Sequence, residues 1–110
     1  MELYFIRHGI AEDRSKYEQD CDRPLTDKGV KKTTKVAQRL INLGLKFNIV
    51  LTSPFLRAKQ TAEILKKEGL SEQIEIFSPL APDGNLEDLV NWLQKSVYNE
   101  IESSVALVGH

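Results

Sequence analysis

The sequence predicts an α/β fold in which a mostly parallel sheet lies between two layers of helices. Short apolar runs typical of strands alternate along the 110 residues with segments whose apolar side chains recur at helical spacing. The helical segments are also bounded by residues that favour helix ends. Because strands that alternate with helices pair in parallel, we expect a three-layer α/β/α arrangement in a single domain covering residues 1–110.

The first strand is predicted over Leu3–Ile6, an apolar run that is too short for a helix and suits a buried strand. It is followed from Gly9 to Pro24 by a polar, charged segment without apolar periodicity. This pattern is typical of a long loop, and long loops are often functional.

The first helix is predicted from a Thr26 cap to about Leu43, with Gly44 as its stop. The residues at helical spacing are Val30, Thr33, Val36, Ala37, Leu40 and Leu43. The run "NIVLTS" then predicts a second buried strand. After it, Ser53 as N-cap and Pro54 as first helical residue favour a helix through Glu68 that Gly69 ends.

The last third of the sequence predicts two more strands and one more helix. "IEIF" reads as a short third strand, and the prolines and glycine of "SPLAPDGN" favour a loop without regular structure. Asn85 is the expected cap of an amphipathic helix that carries Leu86, Leu89, Val90, Leu93 and Val97. "SSVALVGH" predicts the fourth strand, which is of buried type.

Composition excludes several classes of protein. The 15 basic and 16 acidic residues give a net charge of −1 without long runs of one sign, so we expect no nucleic-acid or membrane partner. Cys21 is the one cysteine and cannot form an internal disulfide, and no signal-peptide pattern follows Met1. These features predict a cytoplasmic protein, which we expect to be a monomer.

The chemistry-bearing residues follow the predicted strands. Arg7, His8 and Gly9 follow the first strand, Arg57 lies at the start of the helix after the second, and His110 ends the fourth. In open α/β sheets, ligands bind outside the carboxyl ends of the strands. A single histidine is most often an ordinary loop residue, but both histidines of the chain at equivalent strand ends favour a shared site.

Two arginines beside two histidines predict a site for an oxyanion. The planar guanidinium matches phosphate oxygens, and a helix N-terminus adds to the attraction for an anion. A metal site is the alternative, but the fixed charges of Arg7 and Arg57 would repel a divalent ion, so we expect no metal and no cofactor. A neutral His8 imidazole can act as a nucleophile and form phosphohistidine, and Gly9 would leave room for the anion.

These motifs resemble those of the histidine phosphatase superfamily, also called the phosphoglycerate mutase-like fold. The resemblance rests on "RHG" after the first strand, "TSPFLRAKQTAE" after the second and a final "VGH". It implies that His8 takes the phosphoryl group, that Arg7 and Arg57 bind its oxygens, and that His110 completes the phosphate pocket. The short length and "RPLTDKG" resemble SixA-type phosphohistidine phosphatases, which act on phosphohistidine in signalling proteins.

The presence or absence of a general acid distinguishes two classes of substrate, phosphomonoesters and phosphoramidates. A phosphomonoester needs an acid to protonate its alkoxide leaving group, whereas a phosphoramidate releases an imidazole that can carry its own proton. Here the loop offers Asp83, which is either that acid or a turn former beside Gly84, with Glu87 as a further candidate. The hypotheses are a phosphohistidine phosphatase, a broad phosphomonoesterase or mutase-like enzyme, and a non-catalytic phosphoprotein-binding module.

The C-terminus departs from the family pattern. The chain stops at His110, whereas SixA-like proteins continue past the corresponding "GH". We therefore expect the domain to lack its C-terminal part.

Overall fold

The computed structural model describes residues 1–96, 98 and 102–110. In these residues the strands are β1 (Glu2–Arg7), β2 (Ile49–Thr52), β3 (Ile74–Ile76) and β4 (Ser104–Gly109). The helices are α1 (Asp27–Asn42), α2 (Leu56–Lys67) and α3 (Leu86–Lys95). Val97, expected on the last helix, lies outside the described residues.

The strands form one parallel sheet in the order β1-β4-β2-β3. One face packs against α1 and α2, in a cluster that contains Ala37, Phe47, Val50, Ala58, Ala62, Leu65, Leu70, Ala106 and Val108. The other face packs against α3, through Ile49, Leu51, Leu89, Leu93, Val105 and Leu107. The predicted three-layer α/β/α fold is therefore confirmed.

The prediction that the first strand is buried is wrong for half of its residues. Tyr4 and Ile6 pack against the cluster beneath α1 and α2, but Leu3 is 42% and Phe5 70% exposed on the opposite face. The reason is position, because β1 lies at the edge of the described sheet and pairs with β4 alone. An apolar run does not reveal which strand will be at the edge.

The predicted caps of α1 and α3 are confirmed. Thr26 Oγ1 accepts a hydrogen bond of 2.9 Å from the Gly29 amide, and the Asn85 side chain accepts one of 2.8 Å from the Glu87 amide. Gly44 adopts a φ of 82° directly after the turn that ends α1, a conformation that glycine adopts without strain.

The predicted start of α2 is wrong by a few residues. The helix begins at Leu56 with Phe55 at its N-cap position, so Ser53 and Pro54 precede it. The Ser53 hydroxyl is already engaged, since it lies 2.8 Å from a nitrogen of His110. The Ser53 side chain therefore contacts His110 and does not occupy the N-cap position that the local sequence pattern predicted.

The loops also contain short ordered turns. Single 3₁₀ turns occur at Arg14–Lys16 and Asp20–Asp22 in the long loop, and at Ser78–Leu80, where no regular structure was expected. No helix in the described ranges is long and apolar enough to cross a bilayer.

Candidate active site

The parallel pairing brings three strand ends to one edge of the sheet. Arg7 pairs with Gly109 across β1 and β4, and Thr52 pairs with Val108 across β2 and β4. The His8 amide continues this ladder, donating to the carbonyl of Gly109 at 3.1 Å. The residues that follow these strands are therefore neighbours, as the topology rule predicts.

A pocket of about 830 Å³ lies at this edge. It contains the five residues expected at the phosphate site, together with side chains from the long loop and from α1. Its lining is Ile6, Arg7, His8, Gly9, Ile10, Ala11, Asp20, Arg23, Lys32, Thr33, Val36, Arg57, Thr61, Pro82 and His110.

The His8 ring is held in the tautomer that a nucleophile needs. Its Nδ1 lies 2.7 Å from the carbonyl oxygen of Gly9, which can only accept, so Nδ1 carries the proton. The lone pair is then on Nε2, which accepts a 3.1 Å hydrogen bond from Nε of Arg57. Burial lowers the pKa of His8, the Gly9 bond opposes this, and neighbouring arginine charges lower the pKa further. The ring is accordingly neutral at pH 7.

The guanidinium of Arg57 is buried and held by hydrogen bonds to His8 and Asp20. The residue is 4% exposed and reaches the pocket from the first turn of α2. Its Nη1 donates to the Asp20 carbonyl at 2.8 Å, and Nη2 contacts the Asp20 carboxylate at 3.1 Å. A buried guanidinium can bind an anion, and in this structure it binds the carboxylate of Asp20 from the same chain.

Asp20 joins two arginines at the pocket wall. Its Oδ1 also accepts a 2.7 Å hydrogen bond from Arg23. Burial would raise the pKa of the Asp20 carboxyl, but the hydrogen bonds from Arg23 and Arg57 outweigh that effect and lower it. Asp20 is therefore an ionised carboxylate and not a proton donor at neutral pH.

The His110 ring lies between aromatic and charged neighbours. Its centroid is 5.0 Å from that of His8 and 5.0 Å from that of Phe55, both in edge-to-face geometry. Nε2 lies 2.8 Å from the Ser53 hydroxyl, and Nδ1 lies 3.4 Å from Nη2 of Arg57. Burial of the ring, with the charge of Arg57 second, lowers the pKa of His110 to about 4.

Arg7 is exposed at the pocket, whereas Gly9 is closely packed against a helix. Arg7 ends β1, lines the pocket and is exposed. The structure gives a further reason for Gly9, because a Cβ there would lie 2.5 Å from Oγ1 of Thr33 on α1. A helix approaches the glycine closely, and the Gly9 amide donates to Oγ1 of Thr61, which also lines the pocket.

The structure does not bring Asp83 to the other predicted site residues. Its neighbour Pro82 lines the pocket, whereas Asp83 itself is exposed and is absent from the lining. Glu87 is exposed as well, in the first turn of α3. Neither carboxyl is among the residues that line the pocket.

Sequence reasoning missed three residues of the site. Asp20 and Arg23 lie in the loop that was recognised as long, but the ion pair between Asp20 and Arg57 joins residues 37 positions apart and leaves no periodic signal. Thr61 lies on α2, as predicted, and its Oγ1 also accepts a 3.1 Å hydrogen bond from the Gly9 amide, which helical spacing does not reveal. The charged residues of the loop were the available signal.

In the described ranges, no three His, Cys, Asp or Glu side chains are grouped as they would be to hold a metal ion. Both histidines point at arginine and serine partners instead.

Comparison with known proteins assigns the chain to a family. A sequence model of the histidine phosphatase superfamily (branch 1) matches residues 3–81. An uncharacterized protein of Picosynechococcus sp. is 52% identical over all 110 residues, which cover 66% of that relative. The phosphohistidine phosphatase SixA of Escherichia coli is 32% identical over the entire chain, which spans 67% of its length.

Structural comparison agrees with the sequence comparison. The structure of the protein histidine phosphatase SixA complexed with tungstate matches with a TM-score of 0.88 at 32% identity, over 100% of this chain and 69% of that one. The chain thus spans about two thirds of the length of these relatives. The resemblance in the sequence motifs is confirmed, and the chain belongs to the histidine phosphatase superfamily (branch 1).

Proposed function

We propose that the protein is a phosphohistidine phosphatase that removes the phosphoryl group from a phosphohistidine on a signalling protein, through a covalent intermediate on His8. The observation that carries this proposal is the pairing of a neutral His8 with a buried arginine 3.1 Å away. A nucleophile and a fixed positive charge therefore share one pocket.

The first step is transfer of the phosphoryl group to His8. The lone pair of His8 Nε2 attacks phosphorus, a new N–P bond forms, and the N–P bond of the substrate breaks. The electron pair of the broken bond returns to the substrate imidazole. If the other nitrogen of that ring carries a proton, the imidazole leaves as a neutral ring. Arg57 and Arg7 stabilise the charge on the phosphoryl oxygens, and Arg57 releases the His8 lone pair by turning its Nε–H to one of them.

The second step is hydrolysis. Water attacks the phosphorus of phospho-His8, the N–P bond breaks, and its electron pair returns to Nε2 while inorganic phosphate leaves. The net reaction converts phosphohistidine and water into histidine and phosphate. Arginines supply the positive charge that a divalent cation supplies in other phosphatases, so we propose that the reaction needs no metal.

The choice of substrate follows from the carboxylates. Asp20 lines the pocket, but two arginines keep it ionised, and Asp83 is exposed outside the lining. Within the described residues, the pocket therefore offers no protonated carboxyl for an alkoxide leaving group. A phosphohistidine does not require one, because its imidazole can leave with its own proton.

The comparisons support this choice. SixA of Escherichia coli is named a phosphohistidine phosphatase, and the matching SixA structure holds tungstate, a tetrahedral oxyanion like phosphate. The pocket is also open on the side of α1, where Lys32 and Val36 are exposed at its wall. This opening suits a phosphorylated side chain presented on the surface of another protein.

The test compares two substrates under one set of conditions. Phosphate release is measured from a phosphohistidine peptide and from a matched peptide carrying phosphoserine, an alkyl phosphomonoester, with chelator present, for wild type and His8→Ala. We expect release from the phosphohistidine peptide that the substitution abolishes, and little release from the ester. Preferential ester hydrolysis would overturn the substrate assignment, and tight peptide binding without release from either substrate would indicate a binding module.

A further inference from the structure

The Ser53 hydroxyl is a buried group with two neighbours. The residue is 0% exposed and follows β2 at the sheet edge. Its Oγ accepts a 3.2 Å hydrogen bond from the amide of Phe55 and lies 2.8 Å from Nε2 of His110. Both contacts are within hydrogen-bonding distance, so the direction of the second one can be worked out from the available protons.

The proton count assigns that direction. The Phe55 amide can only donate, so Oγ accepts from it, and the single hydroxyl hydrogen of Ser53 needs an acceptor elsewhere. Nε2 of His110 is the other partner of this atom among the described residues. The hydroxyl therefore donates to Nε2. A neutral His110 then carries its single ring proton on Nδ1.

This assignment changes the meaning of the contact between His110 and Arg57. The Nδ1 to Nη2 distance is 3.4 Å, longer than the usual 2.7–3.2 Å of an N–H hydrogen bond. With the proton on Nδ1, both atoms are donors. The two N–H groups then face each other at the pocket wall, where one acceptor placed between them would satisfy both.

We propose that Ser53 is a positioning residue that fixes the tautomer of His110, so that His110 Nδ1–H and Arg57 Nη2–H donate together to one oxygen of a bound phosphoryl group. The inference rests on the proposed function, because it takes the pocket as a phosphoryl site. Only a neutral ring depends on Ser53 in this way, since a protonated ring would donate from both nitrogens. The low pKa of His110, about 4, makes the ring neutral at working pH.

The first test observes the tautomer directly. The chain contains two histidines, so ¹⁵N labelling of histidine gives two imidazole spin systems, and His8→Gln identifies the ring of His110. We expect His110 to be protonated on Nδ1 at pH 7 with and without tungstate. Protonation on Nε2 in the tungstate-bound wild type would overturn the proposal, and this measurement needs no variant at Ser53.

The second test is a double-mutant cycle that reads the affinity for tungstate by calorimetry. Ser53→Ala should weaken binding roughly tenfold, the usual scale of losing one hydrogen bond to a charged group. In a His110→Ala background, the same substitution should have almost no effect, because the ring it positions is gone. Ser53→Thr, which keeps the hydroxyl, should restore much of the affinity.

A matched control separates positioning from packing. Ser71 is 2% exposed, its hydroxyl bonds the backbone of Gln73, and it is absent from the pocket lining. Ser71→Ala should leave tungstate affinity unchanged. Equal losses for Ser53→Ala with and without His110 would overturn the proposal. Failure of the wild type to bind tungstate would instead contradict the proposed function, so the two failures are distinguishable.

Discussion

Two loops beside the pocket carry a carboxylate each, and they differ in what the carboxylate can do. Asp20, in the loop after β1, bonds Arg23 at 2.7 Å and Arg57 at 3.1 Å, and its pKa is lowered. Asp83, in the loop after β3, is exposed and absent from the pocket lining. One carboxyl is in the pocket but ionised, and the other is outside it. The structure therefore offers neither carboxyl as a proton donor in the pocket, which supports the proposed phosphohistidine substrate, whose leaving group needs none.

The largest effect should come from the nucleophile. His8→Ala removes the lone pair that attacks phosphorus, so we expect phosphohistidine turnover to fall to background, measured as phosphate release under saturating substrate. Retained turnover would mean that a carboxylate or water acts in its place, and the comparison of the two loops would lose its basis.

The second largest effect should come from Arg57, which binds the Asp20 carboxylate. Removing one charge-stabilising donor should cost roughly 10²–10³ in rate, so Arg57→Ala should lower kcat by that factor. Arg57→Lys should recover little of it, because an ammonium group cannot reproduce the planar fork that meets both Asp20 and the pocket. Near wild-type kcat in the lysine variant would show that charge alone suffices.

A smaller effect should appear in the pH dependence of stability. The pKa of His110 is 6.5 ordinarily and about 4 when folded, so the unfolded chain binds more protons between these values. The contribution of His110 to the free energy of unfolding should be complete above pH 6.5 and should decrease as the pH falls toward 4. Asp20 contributes in a separate window, because its pKa lies below 3.8 and its stabilisation is lost only at more acidic pH.

Urea denaturation from pH 4 to 7.5 measures this dependence. His110→Gln removes the titrating ring, and its free energy of unfolding should decline less steeply over that range. Identical slopes for the variant and the wild type would mean that His110 is not kept neutral by the fold.

The smallest effect should be at the other loop. Asp83→Asn removes a carboxyl that does not line the pocket, so we expect less than a twofold change in kcat and KM on a phosphohistidine peptide. The matched substitution Asp20→Asn changes a carboxyl that does line the pocket. A large loss of ester hydrolysis in Asp83→Asn would show that the loop after β3 closes over the site and supplies an acid.

The sequence predicted the parts of the site that depend on sheet topology. Strand ends of a parallel sheet meet at one edge, so His8, Arg57 and His110 could be placed together from their positions alone. The Asp20 ion pair could not, because it depends on how a long loop folds back. Ser53 was misread because Ser-Pro is a local helix-start signal, and the contact with His110 overrode it.

The sequence was also limited where packing depends on neighbours far along the chain. An apolar run predicted β1, but its edge position, which leaves Phe5 70% exposed, follows from the order of the strands. The glycine after His8 was recognised, but the nearness of Thr33 on α1, which also requires a glycine there, could not be predicted from the sequence.

We propose that His8 carries the phosphoryl group between substrate and water. A single-turnover reaction with a ³²P-labelled phosphohistidine peptide, quenched in alkali and mapped by mass spectrometry, is the decisive experiment. We expect label on His8 before it appears in inorganic phosphate, and none on His8→Ala. Release of labelled phosphate at the full rate, with His8 unlabelled at every time point, would contradict this proposal.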